Sequence, residues 1–191
     1  MNALSLLKHD HDDVETLFLR YESLGHQAGP AEKRDIVEKI ITMLSVHAEI
    51  EEQVFYPALR AKMDDSGDVL EALEEHHSAK FILSELDKLP ASHERFDAKV
   101  TVLIENIRHH VGEEEGDAGL FAEARTAFSA KELEEMGSRM SDLKKVAPTR
   151  PHPLSPDVPP LNTIIGLPVA VADRIYTTGK QIVTKVLRGA A

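Results

Sequence analysis

The sequence predicts an all-α protein, an antiparallel up-down-up-down four-helix bundle followed by additional short helices and an amphipathic C-terminal tail. Three observations support this prediction. The 191-residue chain has no Trp and only 5% aromatic residues, a composition that favours helices over sheets. Apolar residues recur at spacings of three and four in four long segments. Short connections separate these segments, which places consecutive helices side by side in opposite directions.

The first helix is predicted from about Leu4 to Gly25, and the second begins at Pro30, a residue suited to a first helical turn. The apolar stripe of the first helix contains a histidine: Leu4, Leu7, His11, Val14, Phe18 and Tyr21. The stripe of the second contains a histidine and a glutamate: Ile36, Ile40, Met43, Leu44, His47, Glu51, Val54 and Ala58. Pro57 is expected to kink this helix or to start a fresh turn.

The third helix is predicted from about Asp68 to Leu89, where Pro90 ends it, and the fourth from Ser92 to Glu115. The apolar side of the third helix again contains a histidine: Val69, Leu73, His76, Leu83 and Leu86. The fourth helix carries a histidine and a glutamate at the end of its stripe: Val100, Leu103, Ile104, Ile107, His110 and Glu114. All four long helices therefore place a histidine on their buried side.

Residues 117–146 are predicted to form two shorter helices that pack across one end of the bundle. Ser129 opens the second of these, with Glu132 three positions later, which is the spacing of a capping box. We place the bundle domain at residues 1–146.

Residues 147–163 are proline-rich and are predicted to form an extended linker of polyproline character. Residues 164–191 are predicted to form a basic amphipathic helical tail. Its possible roles are docking on the bundle, homodimer formation and contact with a membrane surface. Docking is favoured because the opposite charge lies on the same chain.

Charge and composition exclude several classes of function. Residues 1–146 contain 17 Lys and Arg against 31 Asp and Glu, a net charge of −14, whereas residues 147–191 carry +3. An acidic bundle repels phosphates, which argues against a nucleic-acid partner. The chain has no apolar run long enough for a membrane span and no apolar stretch typical of a secretory signal, so a cytoplasmic location is expected. The absence of Cys leaves His and carboxylates as metal ligands.

The inward-facing polar residues predict a metal site. The pattern His-x-x-x-Glu occurs twice, and a separation of four places both side chains on one helix face. Any one histidine is more simply a core residue, and any one pair a surface pair, but four helices repeat the pattern. Burying these groups without cations would cost several kcal/mol for each unpaired charge. Nitrogen and oxygen donors suit two iron or manganese ions, and zinc is chemically compatible. The candidate ligands are His11, His47, Glu51, His76, His110 and Glu114.

Four stretches spread over about residues 4–126 are distinctive: LLKHDHDDVETLF, SVHAEIEEQVFYPALR, ALEEHHSAKFILSEL and IENIRHHVGEEEGDAGLFAEAR. They resemble the hemerythrin-like proteins with the HHE cation-binding domain, in particular the actinobacterial type with a proline-rich extension. The resemblance implies a non-haem di-iron centre with an oxo or hydroxo bridge. It also implies that the same six residues are the iron ligands, with Glu51 and Glu114 bridging.

The chain departs from oxygen-carrying hemerythrins, whose third helix supplies two histidines four residues apart. Here Lys80 follows His76 at that spacing, and Phe81 follows His77. A tyrosine such as Tyr21, or His77, is an alternative fifth ligand. Fewer protein ligands leave more positions for water, peroxide or nitric oxide, which favours redox turnover over oxygen storage.

The expected partner is thus a small molecule: peroxide, nitric oxide or dioxygen. Catalase-like or nitric oxide peroxidase-like activity is the first functional hypothesis, and whether the chain is an enzyme stays open. An oxygen or iron sensor without turnover is the second hypothesis, and a metal-free helical interaction module is the third.

Two choices between neighbouring residues remain open in the sequence. His76 and His110 keep better register with the apolar stripes than His77 and His109 do. Asp10 and Asp13 are candidates either for orienting His11 or for solvated surface carboxylates.

Overall fold

The computed structural model describes residues 1–25, 28–64, 66–154, 170–174 and 176. These residues contain helices and no strand, which confirms the all-α prediction. The four long helices are α1 (Ala3–Leu24), α2 (Pro30–Ile50), α4 (Gly67–Lys88) and α5 (Phe96–Glu115). The shorter elements are a π-helical turn (Glu51–Phe55), α3 (Tyr56–Arg60), α6 (Leu120–Ala127) and α7 (Ala130–Lys144). None of the described helices is both long and apolar enough to cross a membrane.

The core of the bundle consists of two apolar clusters with a layer of polar residues between them. The first cluster contains Leu7 of α1 and Ile50 of α2, and the second contains Val14 of α1 and Leu44 of α2. Along each long helix, a histidine therefore interrupts the buried apolar stripe at the level where the two clusters meet: His11, His47, His76 and His110.

The second long helix does not continue regularly into α3. The N–H of Tyr56 bonds to the carbonyl oxygen of Glu51, five residues earlier, so a π-helical turn lies between α2 and α3. Pro57 follows in the first turn of α3 and has no N–H to donate to the carbonyl of Gln53. The irregularity expected around Pro57 thus takes the form of a π turn, which changes the residues that face the core.

The fourth long helix begins at Phe96, four residues later than predicted. The N–H of His93 bonds to the carbonyl of Pro90, and that of Phe96 bonds to the carbonyl of His93. These bonds span three residues, so the chain forms consecutive tight turns after Pro90 before regular helical bonding starts.

The two short helices α6 and α7 cover one end of the bundle, where their apolar residues join the first cluster. Ser129 and Glu132 form the predicted capping box at the start of α7. Gly137 allows α7 to approach the N-terminus closely, because a Cβ atom at this position would lie 2.5 Å from the carbonyl oxygen of Met1.

The start of the predicted linker lies against the bundle. The Arg150 side chain is buried and forms ion pairs of 2.8 Å with Glu38 of α2 and Asp87 of α4. Within the described part of the tail, Asp173 accepts a 3.1 Å hydrogen bond from the Arg150 backbone N–H, and Arg174 donates to the carbonyl of Lys144. Arg174 therefore contacts the end of α7, and Asp173 contacts the start of the predicted linker. Residues 155–169 and 177–191 lie outside the described residues, so the domain boundaries stay a prediction.

Candidate metal centre

The six residues predicted to bind metal lie together in the polar layer of the bundle. Each has at most 7% of its surface exposed. They form two groups that share Glu51, and the potential ligand atoms within each group lie within 4.8 Å of one another. The first group is His11, His47, Glu51 and Glu114, and the second is Glu51, His76 and His110.

The four histidines form two pairs that point their Nε2 atoms into the centre. In the α1/α2 pair, the Nε2 atoms of His11 and His47 are 3.2 Å apart. In the α4/α5 pair, those of His76 and His110 are 3.1 Å apart. Two nitrogen ligands of one metal ion, each about 2.1 Å from it, lie about 3 Å from each other. The spacing within each pair is therefore suitable for binding a common ion.

Each of the two glutamates reaches from one histidine pair to the other. The Oε2 atom of Glu51 lies 3.0 Å from His47 Nε2 and 3.3 Å from His76 Nε2. The Oε2 atom of Glu114 lies 3.5 Å from His11 Nε2 and 3.7 Å from His110 Nε2. Both carboxylates thus face one histidine of each pair, the arrangement that a bridging ligand requires.

The two glutamates have oxygen atoms that a cation would satisfy. Both oxygens of Glu51 and the Oε2 atom of Glu114 are buried and make no hydrogen bond within the described residues. Such an oxygen is costly to bury unless a positive charge or a donor compensates for lost water. The nitrogen and oxygen donor set, without sulfur, is also one that iron accepts. The residues therefore fit a pair of bound metal ions.

The pKa shifts of the histidines also indicate an environment that favours positive charge. Burial lowers the pKa of His47, but Glu51 and Asp10 outweigh burial and raise this pKa to about 10. Glu51 and Glu52 likewise overcome burial at His76 and raise its pKa to about 9. Burial and the charge of His47 lower the pKa of His11 to about 4. The carboxylates thus favour a positive charge beside each pair.

Outer carboxylates hold the rings of three histidines and approach the fourth. The Nδ1 atoms of His11, His76 and His110 lie 2.8, 3.0 and 2.8 Å from carboxylate oxygens of Glu115, Glu52 and Glu75, respectively. The Nδ1 atom of His47 lies 3.6 Å from Asp10, beyond hydrogen-bond distance. A proton held at Nδ1 leaves the Nε2 lone pair of the same ring available to a metal.

Lysines stand behind three of these four carboxylates. Lys80 donates to Glu52 at 2.6 Å, Lys144 donates to Asp10 at 2.5 Å, and Lys8 donates to Glu115 at 3.0 Å. Each lysine fixes its carboxylate and balances its charge. The orientation of the histidines therefore depends on lysines that contact the outer carboxylates but not the histidines themselves.

Tyr56 is the polar residue of the centre that the sequence analysis did not identify. Its hydroxyl donates a 2.8 Å hydrogen bond to Oε1 of Glu114 and lies 3.4 Å from Nε2 of His76. Tyr56 is five residues after Glu51, and the intervening π turn brings both side chains to the core. A phenol oxygen therefore lies inside the centre, next to His76 and Glu114.

Neither residue suggested for the fifth position lies in the centre. The hydroxyl of Tyr21 donates a 2.7 Å hydrogen bond to Asp97 at the other end of the bundle. His77 is partly exposed and packs edge-on against Phe81, with 4.9 Å between ring centroids. His76 is the buried member of its pair.

His109 and Asp13 likewise lie outside the two buried ligand groups. His109 is exposed and contacts Glu113 at 3.2 Å, so His110 is the buried member of that pair. Asp13 is an exposed neighbour of His9. Asp10 approaches His47 rather than His11, the residue that sequence proximity had suggested.

Two cavities reach the centre from different sides. The first, of about 360 Å³, is lined mainly by apolar side chains and includes all four histidines in its wall. The second, of about 350 Å³, includes His110 and Glu114 and is lined by further acidic residues: Asp68, Glu71, Glu75 and Glu113.

Comparison with known proteins identifies the family. The family model of the hemerythrin HHE cation-binding domain matches residues 2–124, which is more than half of the chain. The chain belongs to this family. The hemerythrin HHE domain binds metal cations, usually iron, and the residues brought together here lie within the matched range. The resemblance inferred from four sequence stretches is confirmed.

Two known proteins are similar to this chain over much of its length. A hemerythrin-like protein from Schizosaccharomyces pombe is 30% identical over 134 residues, covering 69% of this chain and 65% of that protein. A DNA nickase from a Nostoc strain is 28% identical over 144 residues, covering 75% of this chain and 39% of that protein. The chain therefore spans less than two thirds of the length of each.

A solved structure shares the fold. The crystal structure of a hemerythrin HHE cation-binding domain-containing protein from Mycobacterium kansasii aligns with a TM-score of 0.63 and 25% sequence identity. The alignment covers 76% of this chain and 86% of that chain. The HHE bundle is thus the architecture of both chains.

Proposed function

We propose that this HHE domain holds two iron ions and acts as a redox protein on peroxide, nitric oxide or dioxygen. The observation that supports this proposal is the sharing of Glu51 between two clusters of potential ligands. Two separate single-metal sites would not need a common carboxylate. A pair of ions bridged by carboxylates does need one, and helical bundles with carboxylates and histidines at helical spacing are suited to it.

The first ion would be held by His11, His47 and the two glutamates, and the second by His76, His110 and the same glutamates. Bound iron would supply electrons by cycling between ferrous and ferric states. Two histidines and two glutamates per ion would leave coordination positions for water or a substrate. We therefore favour turnover over reversible carriage of oxygen.

The protein would contribute fixed ligand geometry and control of protons. The outer carboxylates would hold protons on Nδ1 of His11, His76 and His110, so that their Nε2 atoms stay available. The Tyr56 hydroxyl oxygen lies 2.8 Å from a glutamate oxygen inside the centre and carries a proton. The apolar walls of the first cavity limit the number of water molecules that reach the histidines.

Metal content and turnover together test this proposal. We expect purified protein to contain about two iron ions per chain, to absorb visible light, and to consume peroxide or nitric oxide many times per centre. His76→Ala should reduce both iron content and turnover, whereas the neighbouring substitution His77→Ala should leave both near the wild-type values. Equal behaviour of these two variants, or a wild-type chain without iron after anaerobic loading, would contradict the proposal.

A second candidate function, an oxygen or iron sensor without turnover, is favoured by contacts between the tail and the centre. Arg174 donates to the carbonyl of Lys144, whose side chain donates to Asp10, the carboxylate next to His47. A change at the α1/α2 pair would reach the tail through this path. Stoichiometric, reversible spectral change together with altered hydrogen exchange in the tail would support the sensor over the enzyme.

A role in DNA cleavage is not favoured for this chain. The relative named DNA nickase is matched over only 39% of its own length. The bundle residues 1–146 carry a net charge of −14, which opposes phosphate binding. Incubation of supercoiled plasmid with the iron-loaded protein tests this view, and we expect no nicking above that produced by free iron at the same concentration.

A further inference from the structure

The first cavity is larger than the small molecules named above. It occupies about 360 Å³ between the bundle helices and has the four histidines in its wall. One water molecule takes up about 30 Å³ in the liquid, so the cavity has room for roughly ten groups of that size. Hydrogen peroxide, nitric oxide and dioxygen each contain only two non-hydrogen atoms. Any of them would leave most of the cavity volume unused.

The chemistry of the wall indicates what else would fit. Most of the lining is aliphatic or thioether carbon, from α1, α2, α4 and α5: Val14, Met43, Leu44, Ala79, Leu83 and Ile107. A small-molecule site typically combines such an apolar wall with a few polar groups at one place. Here the four histidines supply those polar groups. The other polar residues of the wall are Thr42 and four charged residues: Asp10, Asp13, Lys80 and Lys144.

The charged groups on the wall do not favour a strongly anionic ligand. Lys80 and Lys144 both line the cavity, but their ammonium groups donate to Glu52 and Asp10 at 2.6 and 2.5 Å. Asp10 and Asp13 also contribute to the lining. The lysine charges are thus balanced by carboxylates of the chain itself. An uncharged apolar body with one oxygen-bearing end matches this wall better than a fatty-acid anion does.

We propose that the first cavity binds the alkyl chain of an organic hydroperoxide, with the peroxide end at the histidines. This inference rests on the proposed function and narrows its substrate class. Reduction of the hydroperoxide breaks its O–O bond, takes up two electrons and two protons, and yields an alcohol and water. Two ferrous ions held by the six ligands would supply one electron each, and a small one-electron reductant such as ascorbate would restore them.

Binding of the alcohol product tests the cavity without any turnover. Titration calorimetry with 1-heptanol should show saturable binding with a negative heat-capacity change, because apolar surface becomes buried. Met43→Trp places a large ring at the cavity wall and should weaken this binding at least tenfold. Lys39→Trp is the matched control, because Lys39 is exposed one helical turn earlier on α2 and does not line the cavity. Val111→Phe adds a ring to the cavity wall from α5 and replaces Met43→Trp in these experiments if that variant folds poorly.

Turnover with two peroxides separates this inference from the proposed function. The rate with heptyl hydroperoxide relative to that with hydrogen peroxide should fall at least tenfold in Met43→Trp and stay unchanged in Lys39→Trp. Hydrogen peroxide turnover in every variant, with no 1-heptanol binding or no change in this ratio, overturns the alkyl cavity but leaves the proposed function intact. Binding of 1-heptanol without consumption of any peroxide would instead overturn both the substrate assignment and the peroxide activity.

Discussion

The two histidine pairs have nearly the same internal geometry but very different surroundings. Behind the α4/α5 pair, the side chains of Glu52 and Lys80 are 2% and 11% exposed, and Tyr56 is fully buried. Behind the α1/α2 pair, those of Glu115 and Lys8 are 23% and 55% exposed. His76 is therefore supported from the protein interior and His11 from the surface, whereas Glu75 beside His110 is as exposed as Glu115, at 23%. Because water and salt screen exposed charges, the supports should differ in strength.

The largest effect should come from the residue that belongs to both halves. Glu51→Gln removes the negative charge that faces His47 and His76 at 3.0 and 3.3 Å. We expect both iron ions to bind more weakly by at least about 100-fold, since loss of outer partners alone costs roughly 10–100-fold. Metal titration followed by elemental analysis measures this effect.

Glu105→Gln provides the control for this variant, because Glu105 is an exposed residue of α5 outside both ligand groups. Loss of only one ion in Glu51→Gln would show that the two pairs do not share this carboxylate.

The buried support of the α4/α5 pair should also matter for folding. Lys80→Met leaves the Glu52 carboxylate buried without the ammonium group that lies 2.6 Å away. Breaking a buried pair from one side typically costs about 3–5 kcal/mol. We expect a loss of unfolding free energy in that range in urea denaturation. Lys88→Met on the exposed face of the same helix should change it by less than about 0.5 kcal/mol.

Substitution of the outer carboxylates Glu52 and Glu115 compares the two histidine pairs directly. Glu52→Gln should weaken iron binding at the α4/α5 pair by roughly 100-fold, the upper end of the effect of outer partners. Glu115→Gln removes the equivalent contact of His11, but water can replace that partly exposed carboxylate. We expect a loss of about tenfold or less there. Equal losses in competitive chelator titrations would mean that exposure of the support has no influence on the centre.

The sequence predicted the bundle and the inward face of its helices because both depend on a regular spacing of three and four. His11, His47, His76 and His110 follow that spacing, and the structure brings them together with Glu51 and Glu114. The apolar stripes themselves identified which of two adjacent histidines is buried, as His76 and His110 illustrate.

Two of the missed residues, Glu52 and Tyr56, depend on an irregular helix, whereas Glu75 and Glu115 lie on regular helices. In a regular α-helix Glu51, Glu52 and Tyr56 do not all face one core, but the π turn from Glu51 to Phe55 buries all three. Pro57 was a signal of this irregularity, since it removes a donor from the helix, but it does not specify a π turn. Asp10 was a candidate for orienting His11 or for a solvated surface carboxylate, whereas the packing of α1 on α2 directs it towards His47.

A smaller difference in unfolding free energy is expected between variants of two tyrosines. Tyr56→Phe removes the donor to the buried Oε1 atom of Glu114, which should cost about 1–3 kcal/mol of unfolding free energy. Tyr21→Phe removes a donor to Asp97, whose side chain is 42% exposed and can bind water instead. We expect about 0.5–1.5 kcal/mol for this variant. Urea denaturation at fixed iron content measures both, and a larger loss in Tyr21→Phe would contradict the placement of Tyr56.

The smallest effect is expected at the solvent-exposed pair of Lys8 and Glu115. Lys8 pairs with Glu115 at 3.0 Å and with Asp12 at 3.3 Å, and its side chain is 55% exposed. An exposed pair contributes about 0–1 kcal/mol, so Lys8→Met should change the unfolding free energy by no more than that. The difference from wild type should shrink between about 0.01 and 1 M salt, because the screening length falls from about 30 to 3 Å over this range. The loss in Lys80→Met should persist in the same salt series, because water and ions do not reach the Glu52 carboxylate.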